Sequence, residues 1–270
     1  MSEPAAVSRH YAEPGFDLQR VFDAAVVMPS LLRPTIGAAL RSVYAQAFSG
    51  TIQILIGIDD PAADRTVLQP ALAERPPHCV VTVVDLGYST SERRGGVHKD
   101  YSGGALRTIL SYMANSRYLA YLDDDNWWHR EHLASLRAAI RGADWAWSLR
   151  WFADAETGQP LCIDEWESVG PAAGVFAKRF GGWVDPNCLM INKGACEAVL
   201  AAWSLPLTVD QMTGDRQVFR ALVNRFRPAA TGRATTYYRM GFHDPNHEKR
   251  MTAIRARLAQ NQPECAKDGQ

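Results

Sequence analysis

The stretch Tyr118-Leu-Ala-Tyr-Leu-Asp123-Asp124-Asp125-Asn126, followed at once by Trp127 and Trp128, decides how the chain is to be read. An apolar, strand-like segment ends abruptly in three carboxylates. Strands of open α/β sheets present their C-terminal ends to a ligand crevice. Adjacent ionised carboxylates repel one another, and their burial is costly unless a cation offsets the charge. A divalent ion such as Mn²⁺ or Mg²⁺, shared with a phosphorylated ligand, would resolve that repulsion through hard oxygen ligands. The competing reading is a solvated acidic turn, where Asp and Asn are common for backbone reasons.

Upstream of this run, short buried strands alternate with helical segments. Residues 24–28 read as a strand ended by Pro29 and Ser30, and residues 34–47 space Ile36, Leu40, Val43 and Tyr44 on one helical face. Residues 51–58 form a β-branched strand stopping at Asp59-Asp60-Pro61. A helix over 64–75 and a strand over 79–85 follow. The loop 87–104, rich in Gly, Ser, Lys and Arg, is a lid candidate, and a helix over 105–115 feeds the acidic strand. Such alternation predicts a mostly parallel central sheet flanked by helices. Downstream, residues 144–152 alternate Trp145, Trp147, Leu149 and Trp151 with smaller or polar neighbours, as a half-exposed strand does. Residues 153–187 are loop-rich. Helices over 195–203 and 215–226, a strand over 235–240 and a basic amphipathic helix from 245 complete the chain.

The 270 residues suit one large α/β domain with small appendages: a polar lead-in over 1–23, a domain over 24–245 and a basic tail over 246–270. Within the domain, 24–126 and 127–245 differ in texture and read as two halves. With 29 basic and 29 acidic residues the formal charge is +0, which argues against a nucleic-acid partner. Five scattered cysteines, never in a C-x-x-C pair, suit a reduced cytoplasmic protein without structural zinc. No apolar run marks a leader or an anchor. The tail around Lys249, Arg250, Arg255 and Arg257 is compatible with weak association at the inner face of a membrane, although a helix packing one face on the domain is the favoured reading. A homo-oligomer is left open.

These residues together resemble family 2 glycosyltransferases of the GT-A fold, the nucleotide-diphospho-sugar transferase type. Ala25-Val-Val-Met-Pro-Ser30, Arg33-Pro34 and Leu40-Arg-Ser-Val-Tyr-Ala-Gln46 are similar to the opening of that family. Ile56-Gly-Ile-Asp59-Asp60 looks like its second strand and Asp-Asp turn, with Pro61-Ala62 where the family has Gly-Ser. Gly104-Ala-Leu-Arg107 falls where it keeps Ala-Arg-Asn, with Thr108 in place of Asn. The run Leu122 to Asn126 resembles the D-x-D metal motif, and Gly214-Asp215-Arg216 falls at the catalytic carboxylate, with Gly214 in place of the usual Glu. Leu31 stands at a place that is often aromatic. The resemblance covers roughly residues 24–245 in order and spacing.

The resemblance implies a metal-dependent inverting transfer of a sugar from a nucleotide diphosphate sugar, a UDP-sugar being favoured, to a hydroxyl of a carbohydrate or glycoconjugate. Asp125 is the first choice as metal ligand, with Asp123 supporting, Asp124 on ribose or metal, and His243 as a late metal contact. Asp60 is the expected base-binding carboxylate, with Asp59 beside it. Pro29 and Ser30 bring backbone near the nucleoside, Arg33 contacts phosphate, and Arg107 contacts phosphate or braces Asp60. Asp215 is the general base, with Asp185 as runner-up. Trp127, Trp128 and Trp183 offer aromatic walls for a sugar, and Asp185 lies in the expected acceptor loop. Two other readings compete: a degenerate protein that binds nucleotide sugar or glycan without turnover, and a sugar-1-phosphate nucleotidyltransferase. The second lacks support, because Met28-Pro-Ser-Leu-Leu-Arg33 has no glycine for a phosphate loop.

Overall fold

The computed structural model describes residues 7–99, 103–206, 212–241 and 246–260. The polar lead-in contains a strand. β1 (Val7–Tyr11) runs antiparallel along Cys79–Asp85 at the sheet edge, from Val7 opposite Asp85 to Tyr11 opposite Val81. Its side chains are mostly exposed, which is why hydropathy gives no sign of it.

The next elements follow the order read from sequence. They are β2 (Ala24–Ser30), α1 (Ile36–Tyr44), β3 (Ile52–Ile58), α2 (Gln69–Ala73, after a 3₁₀ turn over Arg65–Leu68), β4 (Cys79–Asp85), α3 (Gly104–Met113) and β5 (Tyr118–Tyr121). The second half adds β6 (Trp127–Trp128), α4 (His132–Ala139), β7 (Trp145–Asp154), β8 (Pro160–Ile163), β9 (Gly170–Pro171), α5 (Ala177–Phe180), β10 (Gly182–Trp183), β11 (Leu189–Asn192) and α6 (Lys193–Cys196). A 3₁₀ segment over Glu197–Ser204, α7 (Gly214–Arg225), β12 (Pro228–Met240) and α8 (His247–Gln260) close the order. The large sheet runs β1-β4-β3-β2-β5-β11-β7-β12-β6, with β8 on β7, and β9 pairs with β10 separately. β4, β3, β2 and β5 are parallel; the reversed β11 joins them to β7, which β12 follows in parallel.

β2 and β3 are buried at all seven positions each, so they read as unbroken apolar runs rather than alternating ones. Alternation still sorts their side chains. Val26 and Met28 pack with α1, α2 and α4 on one face, and Ala25 and Val27 pack with α3, Trp203 and α7 on the other. The sheet is therefore sandwiched between helices. Register then fixes the crevice: Ser30 pairs with Ile58 and Val27 with Tyr121, so β2, β3 and β5 end side by side just before Asp59 and Asp123.

β7 alternates between buried and half-buried positions over most of its length, as a half-exposed strand does. Ala146, Ser148 and Arg150 lie on the buried face, while Trp147, Leu149 and Trp151 are half-buried. The tail helix α8 lies on the domain: Ile254 is fully buried against Phe152, Cys162 and Met240, and Arg250 turns inward. Among the described residues no helix is long and apolar enough to cross a membrane.

His132, at the start of α4, stacks on Trp128 with ring centroids 4.2 Å apart, and its Nδ1 lies 2.8 Å from the Thr235 hydroxyl. Full burial pushes its pKa down to about 3. The unfolded chain takes up this proton near pH ~6.5 and the folded one does not, so stability is full above that pH and falls as pH drops below it. We expect urea unfolding of the wild type to lose up to about 1.4 kcal/mol per pH unit below about pH 6.5 from this site. His132→Gln should remove that part of the slope; identical slopes would show that His132 is solvated.

Candidate active site

A crevice of about 400 Å³ opens where β2, β3 and β5 end. Its walls include Pro29, Ser30, Arg33 and Asp59 from the first two strands and their loops, and Arg107 from α3. Asp123, Asp124 and Asp125 line the floor, and Trp183, Asp185, Asp215 and Arg216 face them from the second half. Residues drawn from nearly two hundred positions of chain thus share one cavity, because the parallel register brings the ends of β2, β3 and β5 to one edge, where β10 and α7 face them.

Each floor carboxylate has its own compensation. Asp124 is buried and accepts from the Ser30 hydroxyl at 2.7 Å, from Leu31 N at 3.0 Å and from Arg33 at 2.6 Å. Leu31 N is held there by a tight turn in which Leu32, a non-glycine residue, takes φ 55° and donates its N–H to the Ser30 hydroxyl at 2.8 Å. Asp123 accepts from Arg107 and from Asn187 Nδ2 at 2.9 Å, while its own N–H donates to Asn187 Oδ1 at 2.7 Å. Arg107 therefore braces Asp123, not Asp60.

Asp125 is compensated least. Among the described residues its side chain has one partner, Arg33, 3.0 Å away, and is 38 % exposed. Burial first, and then the Asp123 charge, push its pKa up to about 7, a rise tempered by the water that still reaches it. The same carboxylates hold the Arg33 guanidinium above its ordinary value, although partial burial works the other way.

The donor set suits a hard divalent cation. It offers carboxylate oxygens, and Asp125 carries charge that the protein does not fully neutralise. Among the described residues no three acidic, His or Cys side chains converge as a complete ligand set. An ion here would thus take one or two protein carboxylates and complete its shell with ligand oxygens, as Mg²⁺ commonly does with phosphates. His243 lies outside the described residues.

The two carboxylates after β3 part company. Asp59 is buried, lines the crevice and accepts from Thr90 N at 2.6 Å, Thr90 Oγ1 at 2.9 Å and Ser89 Oγ at 3.2 Å. The loop expected to act as a lid thus anchors its first turn here. Asp60 instead accepts from Ala62 N at 2.9 Å, lies 3.9 Å from Arg94 and does not line the crevice. The Asp before proline makes the local turn, and the preceding one faces the cavity. Gly103, at the head of α3, takes φ 77°, and a Cβ there would sit 2.8 Å from Pro29 Cβ. A side chain at that position would push into the crevice wall.

The aromatic pair after the acidic run is not part of the wall. Trp128 is buried, donates its Nε1–H to Asn187 O at 2.8 Å and stacks on His132. Trp127 stacks on Tyr237 at 5.4 Å, with the Arg239 guanidinium 5.1 Å from its ring centroid. Trp183 does line the crevice, and so does Asp185.

Asp185 belongs to a buried charge cluster that the sequence did not reveal. Arg150, with no exposed side chain, meets Asp164 at 2.8 Å, Glu167 at 2.9 Å and Asp185 at 2.5 Å. Arg250 of α8 reaches Glu167 at 2.6 Å and the Tyr238 hydroxyl at 3.0 Å. Burial raises the Asp185 pKa against the pull of Arg150. Asp164 stays below its ordinary value because Arg150 and three backbone N–H groups outweigh its burial. Asp185 Oδ2 accepts from Arg150 and Oδ1 from Asn187 N and Nδ2, contacts that hold the carboxylate in the crevice wall. Asp215, in the first turn of α7, has one side-chain contact among the described residues, the Thr213 hydroxyl donating to it.

Solved structures share this architecture. S. aureus TarS residues 1–349 in complex with UDP-GlcNAc superposes with a TM-score of 0.56 at 14% identity, covering 90% of this chain and 68% of that one. The mannosyltransferase PcManGT from Pyrobaculum calidifontis, in complex with GDP-Man and Mn²⁺, gives 0.56 at 9% identity, covering 93% and 68%. The fold is GT-A. The GT-A chain here spans 40% of the longer TarS structure. No family model and no curated protein matches the sequence.

Replacing Arg150 by Met would leave Asp164, Glu167 and Asp185 facing one another without their shared cation. We expect Arg150→Met to lower the unfolding free energy by about 3–5 kcal/mol in urea titrations. A loss below about 1 kcal/mol would mean that water already solvates the cluster.

Proposed function

We propose that the chain is a glycosyltransferase that takes a nucleotide diphosphate sugar in this crevice and passes the sugar to a hydroxyl acceptor. The observation that carries this reading is the convergence of Asp59, the Asp123–Asp125 floor and Asp215 on one cavity of the GT-A fold. The nucleotide sugars bound by TarS and by PcManGT support a donor of that class. A UDP-sugar remains the favoured donor.

In this reading the nucleoside lies against Pro29, Ser30 and Asp59, whose carboxylate is held in place by Ser89 and Thr90 and keeps lone pairs for a base N–H. Arg33 sits where a diphosphate would meet the floor. A divalent ion, Mn²⁺ or Mg²⁺, held by Asp125 with Asp123 behind it, would supply neutralisation of the negative charge gathering on the departing diphosphate. Asp215 takes the proton from the acceptor hydroxyl as that oxygen attacks the anomeric carbon. With the base on one side and the diphosphate leaving on the other, a single displacement inverts the anomeric centre. Trp183 supplies the apolar wall for the sugar or acceptor. Function at the cytoplasmic side of a membrane fits the same reading, α8 being folded onto the domain.

Calorimetric titration with UDP, GDP and dTDP, with and without Mn²⁺, tests the donor site. One of them should bind more tightly with the ion. Asp59→Asn should weaken that binding about tenfold and Asp60→Asn by less than about twofold. If none binds, or if Asp60 proves the sensitive position, the donor reading is wrong. Asp215→Asn should leave nucleotide affinity unchanged and lower transfer by about 10²–10⁴. Undiminished transfer would remove Asp215 from the chemistry, whereas a wild type that binds nucleotide and never turns over would be a binding protein.

A further inference from the structure

Arg216 carries a charge that no described residue pairs. It follows Asp215 in the first turn of α7 and lines the crevice. Its guanidinium carbon lies 4.2 Å from the Phe176 ring centroid, 4.4 Å from Phe180 and 5.6 Å from Trp183. Among the described residues it makes no hydrogen bond and no ion pair. Aromatic stacking occupies the flat faces of a guanidinium and leaves its in-plane N–H groups available. Among the described residues those N–H groups have no acceptor, in contrast to the Arg33, Arg107 and Arg150 guanidiniums, each bound to carboxylate. Burial lowers the Arg216 pKa; Asp215 and Glu167 act on it through space without closing a pair.

Two neighbours shape this wall. The Trp183 ring is only 5 % exposed and packs beside the Arg216 guanidinium. The Thr213 side chain, at the N-cap position of α7, donates to Asp215 and leaves the N-terminal N–H groups of the helix without a side-chain cap.

We propose that Arg216, stacked among the Phe176, Phe180 and Trp183 rings, forms an oxyanion-recognition subsite for the acceptor, so that the acceptor carries a phosphate or carboxylate near the hydroxyl that attacks. This rests on the transferase reading of the crevice. The subsite belongs to the acceptor and not the donor because Arg216 adjoins Asp215. In-line displacement puts the base on the face of the sugar opposite the leaving diphosphate, so a cation beside the base meets the incoming molecule. The donor end has its own arginines, Arg33 and Arg107, on the opposite floor. Planar bidentate contact suits both phosphate and carboxylate, which is why both classes stay open until tested.

The test is calorimetric titration of inorganic phosphate, and separately of acetate, into the full chain saturated with UDP or GDP and Mg²⁺. At least one oxyanion should bind on top of the nucleotide. Tighter phosphate marks a phosphorylated acceptor, and tighter acetate an acidic-sugar acceptor. Arg216→Gln should weaken that binding by about tenfold or more, and Arg216→Lys, which keeps the charge and covers the aromatic rings, by a smaller factor. Nucleotide affinity should stay within about twofold in both variants. The proposal is overturned if neither anion binds the nucleotide-loaded protein, if phosphate merely displaces the nucleotide, or if both variants bind the anion like wild type. Loss of nucleotide affinity in Arg216→Lys would move the residue to the donor and equally overturn it. If no nucleotide binds at all, the transferase reading falls; titration of the free wild type and its variants then still decides whether Arg216 holds an oxyanion.

Discussion

Three consecutive carboxylates at the end of a buried strand repel one another, and the surrounding structure is arranged to contain that repulsion. Ser30, Leu31 N and Arg33 converge on Asp124, and Arg107 and Asn187 converge on Asp123. These groups come from the loop after β2, the head of α3 and the turn before β11. Compensating the acidic run therefore ties together the segments that shape the crevice. Asp125 remains the least compensated member, with Arg33 at 3.0 Å as its side-chain partner among the described residues.

A second buried charge centre supports the opposite wall. Arg150 gathers Asp164, Glu167 and Asp185, and Arg250 extends the cluster to α8. Such clusters contribute uncertain net stability, since desolvation offsets much of the attraction. Their evident effect here is positional. The segment between β8 and β11 is pinned by these ionic and hydrogen-bonded contacts together with the packing of Phe176, Trp183 and Val184 on the core. Trp183 and Asp185 thereby keep fixed places beside Asp215.

Much of the first half was legible because its strands are apolar on both faces and end in turn-forming residues. β4 runs over the residues expected, and β2 extends the expected strand by two residues through Pro29 and Ser30. β1 was hidden, since an exposed edge strand has no hydrophobic pattern. The alternation of β7 was legible, but not that its buried face carries Arg150, whose partners lie 14, 17 and 35 residues further on. No local pattern encodes a pairing at that distance. The same limit explains Asp59 and Asp60. Sequence places both at a strand end, and only the capture of Asp59 by Ser89 and Thr90 decides which one faces the crevice. Arg216 was quoted only as part of the segment around the expected base, because its meaning depends on the aromatic rings of α5 and β10.

The most direct test of the central claim is a crystal structure of the chain with a nucleoside diphosphate and Mn²⁺. The account predicts the ion on Asp125, the base against Asp59 and the diphosphate between the acidic floor and Asp215. A nucleotide seated outside this crevice, or an ion that leaves Asp125 untouched, would contradict it.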